Sequence, residues 1–445
     1  MTRATLALFV LGLGCTNVDV VAIGASDAAM GADAGSDAGQ ACDGVGPPVS
    51  VGDGPRGRAL CAGGVAERTF RYALCSCSTI AFSTAVHTDS FDSRRGPYRA
   101  PGGRGGAIGS NGDVTLSSPM AFGGSLWAAG AGGLSAPSAG SPIEVGGELR
   151  SGGPLDSAST VDVALDAFVA GDVRATELNV GGALVTPASA TVSAPIERVG
   201  SRRTEPVVVP PPCDCDPAAL LDISSLVDAA AVRNDDALVP IESTSLSGYE
   251  GDTRITFPCG RYFLDGVSGG GALTFEVTGR AAVYVRGDLA PGGDFRVELA
   301  DGAELDLFVS GVLVSSGAIL FGSPARPAAA RLYLGGAGAV NLTSTSTFAG
   351  NVYAPRADVQ TSGALEVFGS IFVGGIAASG GVNIHYDAAV LDVGADCPPD
   401  PGECVSCRDC RNQACIAGAC AACTSNDQCC SPLLCISGRC QIEPF

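Results

Sequence analysis

The densest chemistry in this sequence is a cluster of thiols near the C-terminus. Ten of the 19 cysteines fall between Cys404 and Cys440, and thiols at this density either ligate a metal or pair as disulfides. Cys404-x2-Cys407-x2-Cys410 begins like an iron–sulfur motif, but the next interval is four residues and Ile416 stands where that motif has proline. We therefore predict disulfides, with no metal and no cofactor, among Cys404, Cys407, Cys410, Cys415, Cys420, Cys423, Cys429, Cys430, Cys435 and Cys440.

A second set of cysteines is scattered along the rest of the chain. Two Cys-x-Cys pairs, Cys75/Cys77 and Cys213/Cys215, could bind copper, but pairing with the other four cysteines accounts for them without a metal. With Cys15 set aside, 18 cysteines remain, and an even number fits complete pairing in an oxidising compartment. The scattered cysteines predicted to form disulfides are Cys42, Cys61, Cys75, Cys77, Cys213, Cys215, Cys259 and Cys397.

Catalytic groups are scarce. A hydrolase triad would need His87 or His385, the only histidines, and we interpret His385 as a partly exposed residue at a strand end rather than a base. The chain has no lysine, which excludes Schiff-base chemistry and a P-loop lysine. A lyase-like site could combine an arginine with carboxylates, but outward-facing charges are the ordinary expectation for these residues: Arg280, Arg286, Arg296, Asp288 and Asp294. We predict that the protein is not an enzyme.

The charge balance excludes one class of partner. Twenty-six arginines face 46 acidic residues, which gives a formal net charge of −20. Nucleic-acid binding depends on clustered cations that release counterions from phosphates, so we expect no nucleic-acid partner.

The N-terminus reads as an export signal. Residues 1–15 comprise a positive start, an apolar run from Ala4 to Leu13, and Gly14 before Cys15, and they are too short to span a bilayer. The stretch Leu11-Gly-Leu-Gly-Cys15 resembles a bacterial lipobox, which implies lipidation of Cys15, although Gly12 departs from the usual leucine. The alternative is ordinary signal cleavage near Ala22–Ala25. Residues 16–46, rich in Ala, Gly and Asp, predict a disordered tether.

The predicted body, residues 47–395, repeats one five-residue phrase. Its order is an apolar residue, any residue, glycine, any residue and an aliphatic residue. Successive copies at 122, 145 and 169, and at 285 and 309, lie 23 or 24 residues apart, which is the length of one solenoid coil. Alternating apolar residues between the glycines indicate strands with one buried face. We predict an all-β fold, a parallel β-helix, over an antiparallel sandwich. The eight phrases begin at Phe122, Val145, Val169, Val180, Val285, Val309, Phe348 and Val367.

One segment, at about 199–235, interrupts the repeats with a Pro-rich linker and a short helix. We expect Asp216 to cap the helix, with Leu220, Ile223 and Val227 on one face. The segment either divides two β-domains or is an excursion from one solenoid, and the identical phrase on both sides favours the excursion.

Residues 396–445 form the predicted cysteine-rich module. Cys410, Cys415 and Cys420 align with Cys430, Cys435 and Cys440 at an offset of 20 residues, which indicates a duplication. The run from Cys423 to Cys440 resembles dickkopf-like and knottin-like modules, which implies disulfide architecture but no particular ligand.

The segment Thr88-Asp-Ser-Phe-Asp-Ser-Arg-Arg-Gly-Pro-Tyr98 resembles a segment of exported bacterial Gly-rich β-helix proteins of unknown function. Gly260-Arg-Tyr262, Phe348–Pro355 and Ile384-His-Tyr-Asp387 look like the same group, so the resemblance covers most of residues 88–390. It implies a fold and an exported address, and no activity.

These observations predict a structural or adhesive surface protein anchored in the cell envelope. Its partners would be the membrane, through lipid on Cys15, and a surface polysaccharide or protein, through the cysteine-rich module as a tip. Two alternatives stay open, a polysaccharide-binding or polysaccharide-processing β-helix and a self-assembling solenoid scaffold. We expect location at the outer membrane or cell surface, or secretion or a periplasmic address if Cys15 is not lipidated.

Overall fold

The computed structural model describes residues 48–51, 58–61, 66, 69–239, 241–393, 404, 407, 410, 413–430 and 432–441. The signal segment with Cys15, the tether, Cys42 and Cys397 lie outside these residues. Within them the chain is almost entirely β-structure, built as a parallel β-solenoid of about 13 coils with one α-helix. This confirms the predicted fold class. No helix in this part of the chain is long and apolar enough to cross a lipid bilayer.

The strands are short at first and lengthen toward the C-terminal part of the solenoid. Those before the helix are β1 (Pro48–Val51), β2 (Arg58–Cys61), β3 (Leu74–Ser76), β4 (Ile80–Phe82), β5 (Val86–Phe91), β6 (Ile108–Ser110), β7 (Val114–Leu116), β8 (Met120–Phe122), β9 (Leu126–Ala128), β10 (Leu134–Ala136), β11 (Ile143–Val145), β12 (Leu149–Ser151), β13 (Leu155–Ser157), β14 (Thr160–Val163), β15 (Ala167–Val169), β16 (Val173–Arg174), β17 (Glu177–Thr186), β18 (Val192–Ser193) and β19 (Ile196–Thr204). After the helix α1 (Ile223–Ala230) come β20 (Ser247–Tyr249), β21 (Thr253–Phe257), β22 (Gly260–Leu264), β23 (Val267–Gly269), β24 (Leu273–Val277), β25 (Arg280–Val285), β26 (Leu289–Ala290), β27 (Phe295–Leu299), β28 (Glu304–Val309), β29 (Ile319–Gly322), β30 (Ala330–Leu334), β31 (Ala339–Leu342), β32 (Ser346–Thr361), β33 (Leu365–Ala378) and β34 (Val382–Asp387). The module contains β35 (Ala414–Ile416), β36 (Ala419–Ala421), β37 (Leu434–Ile436) and β38 (Arg439–Gln441).

Each coil contributes a strand to each of three faces. Face 1 runs β22–β25–β28–β30–β32–β33–β3–β6–β9–β12–β15–β17–β19, with every neighbour parallel. Face 3 runs β21–β24–β27–β29–β32–β33–β34–β5–β8–β11–β14–β17–β19 in the same sense. Face 2 lies between them and includes β4, β7, β10, β13, β16 and β18. Alternate apolar side chains point inward and form one continuous core.

The chain enters this solenoid in the middle. Strands β3–β5 pair with β6–β8 on one side and with β33 and β34 on the other. The first half (residues 74–204) builds outward to one end, and the second half (residues 247–387) starts at the opposite end and builds back. The interrupting segment is therefore an excursion from one continuous solenoid and not a boundary between two separate β-domains. It is a crossover (residues 205–246) that joins the two ends of one stack.

The Pro-rich part of the crossover matches the distance it must cover. Nine residues lead from Thr204 to Cys213, and at about 3.1 Å per residue a polyproline-like segment spans about 28 Å. The path from β19 back to β3 is six coil steps of about 4.8 Å, or about 29 Å. Disulfides Cys75–Cys213 and Cys77–Cys215 fasten its far end to the first coil. We had expected these four cysteines to pair with the other scattered cysteines, but they pair with one another. Cys259 is also disulfide-bonded.

Beyond the disulfides the crossover covers a row of aromatic side chains on face 1. Leu221 N donates to Tyr353 Oη at 3.1 Å, and Ile223 of α1 packs beside Gly335. The helix begins at Ile223 and is capped by Asp222, which accepts from Ser225 N, so the predicted start at Asp216 is wrong by one and a half turns. Leu220, Ile223 and Val227 are buried as predicted. The covered row, each member at most 5% exposed, comprises Phe263, Tyr284, Phe308, Tyr333, Tyr353 and Phe372.

The predicted coil length holds for some repeats only. Phe122 pairs with Val145 and Val285 with Val309, so these intervals are true coils. The interval from Val145 to Val169 is not, because Val169 lies on face 1 opposite Ser151. Register intervals range from 17 residues at Val163–Val180 to 34 at Leu74–Ile108. Insertions at the corners therefore broke the period that the phrase indicated.

Aspartates at the corners join one coil to the next. Asp172 accepts a hydrogen bond from Thr191 N at 2.7 Å, and Asp288 accepts from Val312 N at 2.9 Å. Asp166 accepts from Ala183 N at 2.7 Å. Each carboxylate satisfies a corner amide that the parallel ladder leaves unpaired, which explains the frequent aspartates in the corner sequences. The same contact is made by Asp113, Asp252 and Asp294.

Candidate functional site

The middle of the solenoid is closed by residues from two distant sequence segments. Strand β5, from the Thr88–Tyr98 segment, pairs with β34, from Ile384–Asp387, and Asp89 lies opposite His385. His385 Nδ1 lies 2.7 Å from Asp89 Oδ1, and its Nε2 lies 2.8 Å from Glu366 Oε1. His385 is only 5% exposed, so the expectation of a partly exposed histidine is wrong.

Two carboxylates favour the charged form of His385. Burial alone would lower the pKa of His385, but hydrogen bonds and charges of Asp89 and Glu366 outweigh it and raise that pKa above its ordinary value. Burial would likewise raise the pKa of Asp89, but hydrogen bonds from His385 and Tyr98 lower it. An imidazolium between two carboxylates cannot accept a proton, so His385 is unsuited to act as a general base here.

A loop formed by residues 92–104 covers this cluster. Tyr98 Oη donates to Asp89 Oδ2 at 2.7 Å, and its ring lies 4.0 Å from that of His385 and 5.6 Å from that of Phe368. Asp92 caps the 3-10 helix Ser93–Arg95. Gly102 N also donates to Asp89, and a Cβ on Gly102 would lie 2.4 Å from the Asp89 carboxyl carbon, so only glycine fits.

Asp387 holds the same loop through a hydrogen bond from the amide of Ser93. It is fully buried, and it accepts hydrogen bonds from the amides of Ser93 at 2.9 Å, Ala389 at 3.1 Å and Ala328 at 3.3 Å. Burial raises the pKa of Asp387, and these hydrogen bonds offset part of that rise. The carboxylate therefore ties three segments together at the place where the two halves meet.

The hydroxyl groups beside the cluster are committed elsewhere. Thr88 Oγ1 donates to Gly106 O at 2.7 Å, and Ser90 Oγ donates to Arg104 O. Among the described residues no serine, threonine or cysteine is hydrogen-bonded to His385. The Asp89–His385–Glu366 cluster thus has a histidine beside carboxylates, as a hydrolase site has, but no nucleophile within the described part of the chain. The geometry of the cluster is that of a buried contact that joins β5 of the first half to β34 of the second half.

Beside this cluster an open groove of about 960 Å³ runs along face 3 of the first half. One side chain per coil points into it from the middle of each strand, and these positions are directly in register from coil to coil. Residues 101–104 form one wall, and the corner glycines form the floor. The side chains of this ladder are His87, Ala121, Glu144, Asp162, Asn179 and Arg198.

The ladder changes from free to internally bonded along its length. Glu144 is exposed, and among the described residues it has no ion-pair or hydrogen-bond partner. Asp162 Oδ1 accepts from Asn179 Nδ2 at 2.6 Å, and Asn179 Oδ1 accepts from Arg198 at 3.1 Å. Arg198 also pairs with Glu177. The groove therefore offers acceptors near its middle and donors at both ends, where His87 and Arg198 stand.

The arginines and aspartates considered for a lyase-like site are not brought together in one cleft. Arg280 pairs with Glu304 at 2.7 Å, and Arg296 pairs with Asp294 at 2.9 Å. Arg286 lies at a corner between Asp228 and Asp265. Asp288 and Asp294 accept corner amides one coil on. These residues support coil stacking and do not converge on a common space.

The cysteine-rich module closes on itself. Cys404–Cys415 with Cys410–Cys420 form one crossed pair, and the same pattern recurs at a later position. The five bonds are Cys404–Cys415, Cys407–Cys430, Cys410–Cys420, Cys423–Cys435 and Cys429–Cys440. Cys410 thus corresponds to Cys429 and not to Cys430, which corrects the uniform offset of 20 residues. Cys430 instead links the two repeats. Two close groups of three sulfur atoms, in Cys404, Cys410 and Cys420 and in Cys423, Cys429 and Cys440, consist of disulfide sulfurs.

The module lies against the flank of the solenoid near its middle, not at an end. Leu391 packs on the module core around Leu433. A cavity of about 400 Å³ separates Leu433 from Trp127 and Arg150 of the first half. Arg150 covers the Trp127 ring at 4.7 Å. Because the chain leaves the solenoid beside the central coil, the predicted position of this module as a tip is wrong.

Comparison with known proteins yields one match to part of the chain. A family model described as a domain of unknown function, DUF7305, matches residues 214–393. The match covers the crossover after Cys213 and the second half, and it leaves the groove and the Thr88–Tyr98 segment outside. Searches of curated proteins and of solved structures find no match. This supports the interpretation of an unknown-function β-helix protein.

Sequence reasoning missed both the cluster and the groove. Asp89 and His385 are 296 residues apart, and only the permuted chain order brings them together. Four of the six ladder residues do carry a local signal, since Ala121, Glu144, Asp162 and Asn179 each stand between two apolar residues, as in Ile143-Glu144-Val145 and Val161-Asp162-Val163. Alignment of these triplets would have placed Glu144 and Asp162 in one row.

Proposed function

We propose that this is an exported, non-catalytic surface protein that binds an extended, uncharged carbohydrate polymer along the groove of its first half. The observation that carries the proposal is the ladder of hydrogen-bonding side chains presented at each coil step beside a glycine floor. The disulfides are typical of an exported protein, and the closed Asp89–His385–Glu366 cluster supports a role without catalysis.

The spacing of the ladder favours a sugar polymer over a peptide. Coils recur about every 4.8 Å, whereas an extended peptide repeats its side-chain pattern about every 6.6 Å, so a peptide laid along the groove would fall out of step. A polymer of hydroxyl-bearing rings can meet donors and acceptors at any coil. Arg104 and Arg198 line the groove together with Glu144 and Asp162, and the chain as a whole carries −20, which disfavours a polyanion.

Binding to three soluble polymers tests this proposal: neutral dextran, anionic polygalacturonate and cationic chitosan oligomers. We expect dextran to bind best, and the double variant Glu144→Ala/Asp162→Ala to weaken it roughly tenfold, the equivalent of about 1.4 kcal/mol. The matched control is Glu276→Ala/Glu298→Ala, which removes two carboxylates from the same face in the second half. Reducing ends should not accumulate.

Three outcomes would contradict the proposal. They are failure of the folded protein to bind any of the three polymers, equal loss of binding in the groove and control variants, and release of new reducing ends. Binding that persists in the groove variant but is lost when residues 404–441 are removed would place recognition in the cysteine-rich module instead.

The anchoring part of the proposal rests on the lipobox-like N-terminus. A lipid on Cys15, followed by the tether, would hold the solenoid at the outer membrane or cell surface with its groove accessible. The intact mass of the protein extracted from membranes tests this directly. A diacyl or triacyl increment on a chain beginning at Cys15 is expected, and cleavage near Ala22–Ala25 would refute it in favour of secretion.

A further inference from the structure

One position of the groove ladder carries no polar group. Ala121 stands in register between His87 of one neighbouring coil and Glu144 of the other. The remaining ladder side chains can all donate or accept a hydrogen bond. A ligand over Ala121 therefore meets a methyl group, and the Glu144 strand lies about 4.8 Å further along the groove.

The wall of the groove stands beside this position. Gly105 N donates to Gly123 O at 3.0 Å, which holds residues 101–104 against the coil that contains Ala121. Pro101 is one of the wall residues that line the groove. The groove is thus bounded on two sides at this level, and the wall brings a second small apolar group to it.

Two charged side chains in this part of the groove have no partner among the described residues. Glu144 is the free carboxylate of the ladder, whereas Asp162 already accepts a hydrogen bond from Asn179 at 2.6 Å. Arg104 is exposed on the wall, and its guanidinium forms no ion pair or hydrogen bond within the described part of the chain. An unused acceptor and an unused donor therefore accompany the apolar position at Ala121.

We infer, on the basis of the proposed carbohydrate binding, that the groove recognises the acetamido group of an N-acetylated sugar. The methyl group of this substituent packs on Ala121 and Pro101. Its amide N–H donates to the carboxylate of Glu144, and its carbonyl oxygen accepts from the guanidinium of Arg104. A few placed polar groups beside an apolar surface are what fixes a ligand and selects it.

Other sugar substituents satisfy fewer of these groups. A carboxylate could accept from Arg104 but would be repelled by Glu144, and an ammonium group would have the reverse problem. A hydroxyl group can bond to either side chain but leaves the methyl of Ala121 without an apolar partner. A methyl-bearing secondary amide is neutral, and it uses the donor, the acceptor and the apolar position together.

Three oligosaccharides with the same linkage test this assignment: the β-linked pentamers of N-acetylglucosamine, glucosamine and glucose. They differ only in the group on the second carbon, which is an acetamido, an ammonium or a hydroxyl group. Isothermal titration calorimetry of the full chain measures the dissociation constant of each. We expect the N-acetylglucosamine pentamer to bind roughly tenfold more tightly than the glucose pentamer, and the glucosamine pentamer to bind no more tightly than glucose.

Variants locate this preference in the groove. Ala121→Val fills the space for the acetyl methyl group, and Arg104→Met removes the donor to the carbonyl oxygen. Each should bring the ratio of the glucose to the N-acetylglucosamine dissociation constant close to one. The matched control is Ala81→Val, the same change in the middle of an equally short strand on face 2, which should keep the wild-type ratio. The ratio corrects for general damage, because both sugars need a folded groove.

Equal binding of the N-acetylglucosamine and glucose pentamers would overturn the acetamido assignment and leave the proposed carbohydrate binding intact. Tightest binding of the glucosamine pentamer would also overturn it, because Glu144 would then recognise an ammonium group. So would a wild-type ratio in Ala121→Val and Arg104→Met, or the same loss in Ala81→Val. Failure of all three pentamers to bind would overturn it too, and binding of dextran by the same protein would then show whether the proposed function fails with it.

Discussion

The two halves of the solenoid share one core but differ on the outside. In the first half most strands of the first coils are three residues long, and face 1 carries Arg150 and Phe168 half-exposed to solvent. In the second half most strands are five residues or longer, and the same row is a buried aromatic ladder beneath the crossover. Inward packing alone is therefore enough to stack coils. The outer layer is an addition, and disulfides fasten it at the junction, where the Asp89–His385 cluster joins the two halves.

The largest effect is expected from the paired disulfides Cys75–Cys213 and Cys77–Cys215. Each closes a loop of 138 residues, and replacing all four cysteines with serine should reduce the free energy of unfolding by about 5 kcal/mol. Either bond alone keeps the loop closed, so removing one should cost less than about 1 kcal/mol. Guanidinium denaturation under non-oxidising conditions measures both.

Hydrogen exchange on the same variants would sharpen the comparison of halves. When both disulfides are removed, amides in β22–β33 should exchange faster, because the crossover covers the outer side of these strands. Amides in β6–β17 should change little. Two results would show that the disulfides do not act through the crossover. One is an equal increase of the exchange rate in both halves, and the other is an equal loss of unfolding free energy for each single-bond variant and for the variant that lacks both.

The next largest effect concerns a fully buried ion pair in the second half. Arg331 is fully buried, with Nε 2.6 Å from Asp306 Oδ1 and a further bond to Glu304 at 3.1 Å. Asp306→Asn should lower the free energy of unfolding by about 3 kcal/mol, because it leaves a buried charge short of its partner. The matched control is Glu298→Gln, which breaks the exposed pair with Arg254 and should cost less than about 1 kcal/mol. Similar costs would mean that burial does not make the Arg331–Asp306 ion pair more costly to break than an exposed one.

The fold class followed from local pattern, because alternating apolar residues and corner glycines report the pleat and the turns directly. The chain path did not, since any coil can stack on any other through the same backbone ladder. Phe122 and Val145 look equally able to neighbour Val169. Only long-range contacts, such as Cys75 with Cys213 and Asp89 with His385, select the permuted order.

The candidate site was hidden for a related reason. Glu144 and Asp162 are ordinary outward residues when each strand is read alone, and they form a ladder only when register is known. The helix start was missed because Asp216 and Pro217 carry a strong capping signal, whereas packing of Ile223 against Gly335 selected the later cap at Asp222. Tertiary contact overrode local preference.

A smaller effect is expected at the junction between the halves. His385→Gln should cost about 2 kcal/mol near pH 6, since it removes a charged partner from Asp89 and Glu366. The raised pKa of His385 means that its contribution is complete below pH 6.5 and is lost as pH rises through the folded-state pKa. Wild type should therefore lose stability in that window, and the variant should not.

The acid side of the same profile depends on Asp89. Its pKa is lowered, so its contribution is present above pH 3.8 and is lost as pH falls through the folded-state value. The raised pKa of Asp387 acts in the opposite sense but is common to wild type and variant, so it cancels in their difference. His87→Gln is the matched control, as its side chain is 48% exposed and lies 3.4 Å from Asp89. A wild-type melting temperature that stays level above pH 6.5 would contradict the imidazolium assignment.

The smallest effect tests what the halves have in common. Asp172 in the first half and Asp288 in the second accept the same kind of corner amide, at 2.7 and 2.9 Å. Each Asp→Ala variant should cost about 1 kcal/mol, and the two costs should agree, because a corner hydrogen bond joins adjacent coils whether or not the outer face is covered. Asp156→Ala, which breaks only an exposed pair with Arg174, should fall within about 0.5 kcal/mol of wild type. A clearly larger cost for Asp288 would show that the outer layer also stiffens the corners, so that the two halves differ in their coil-to-coil joints as well as in their cover.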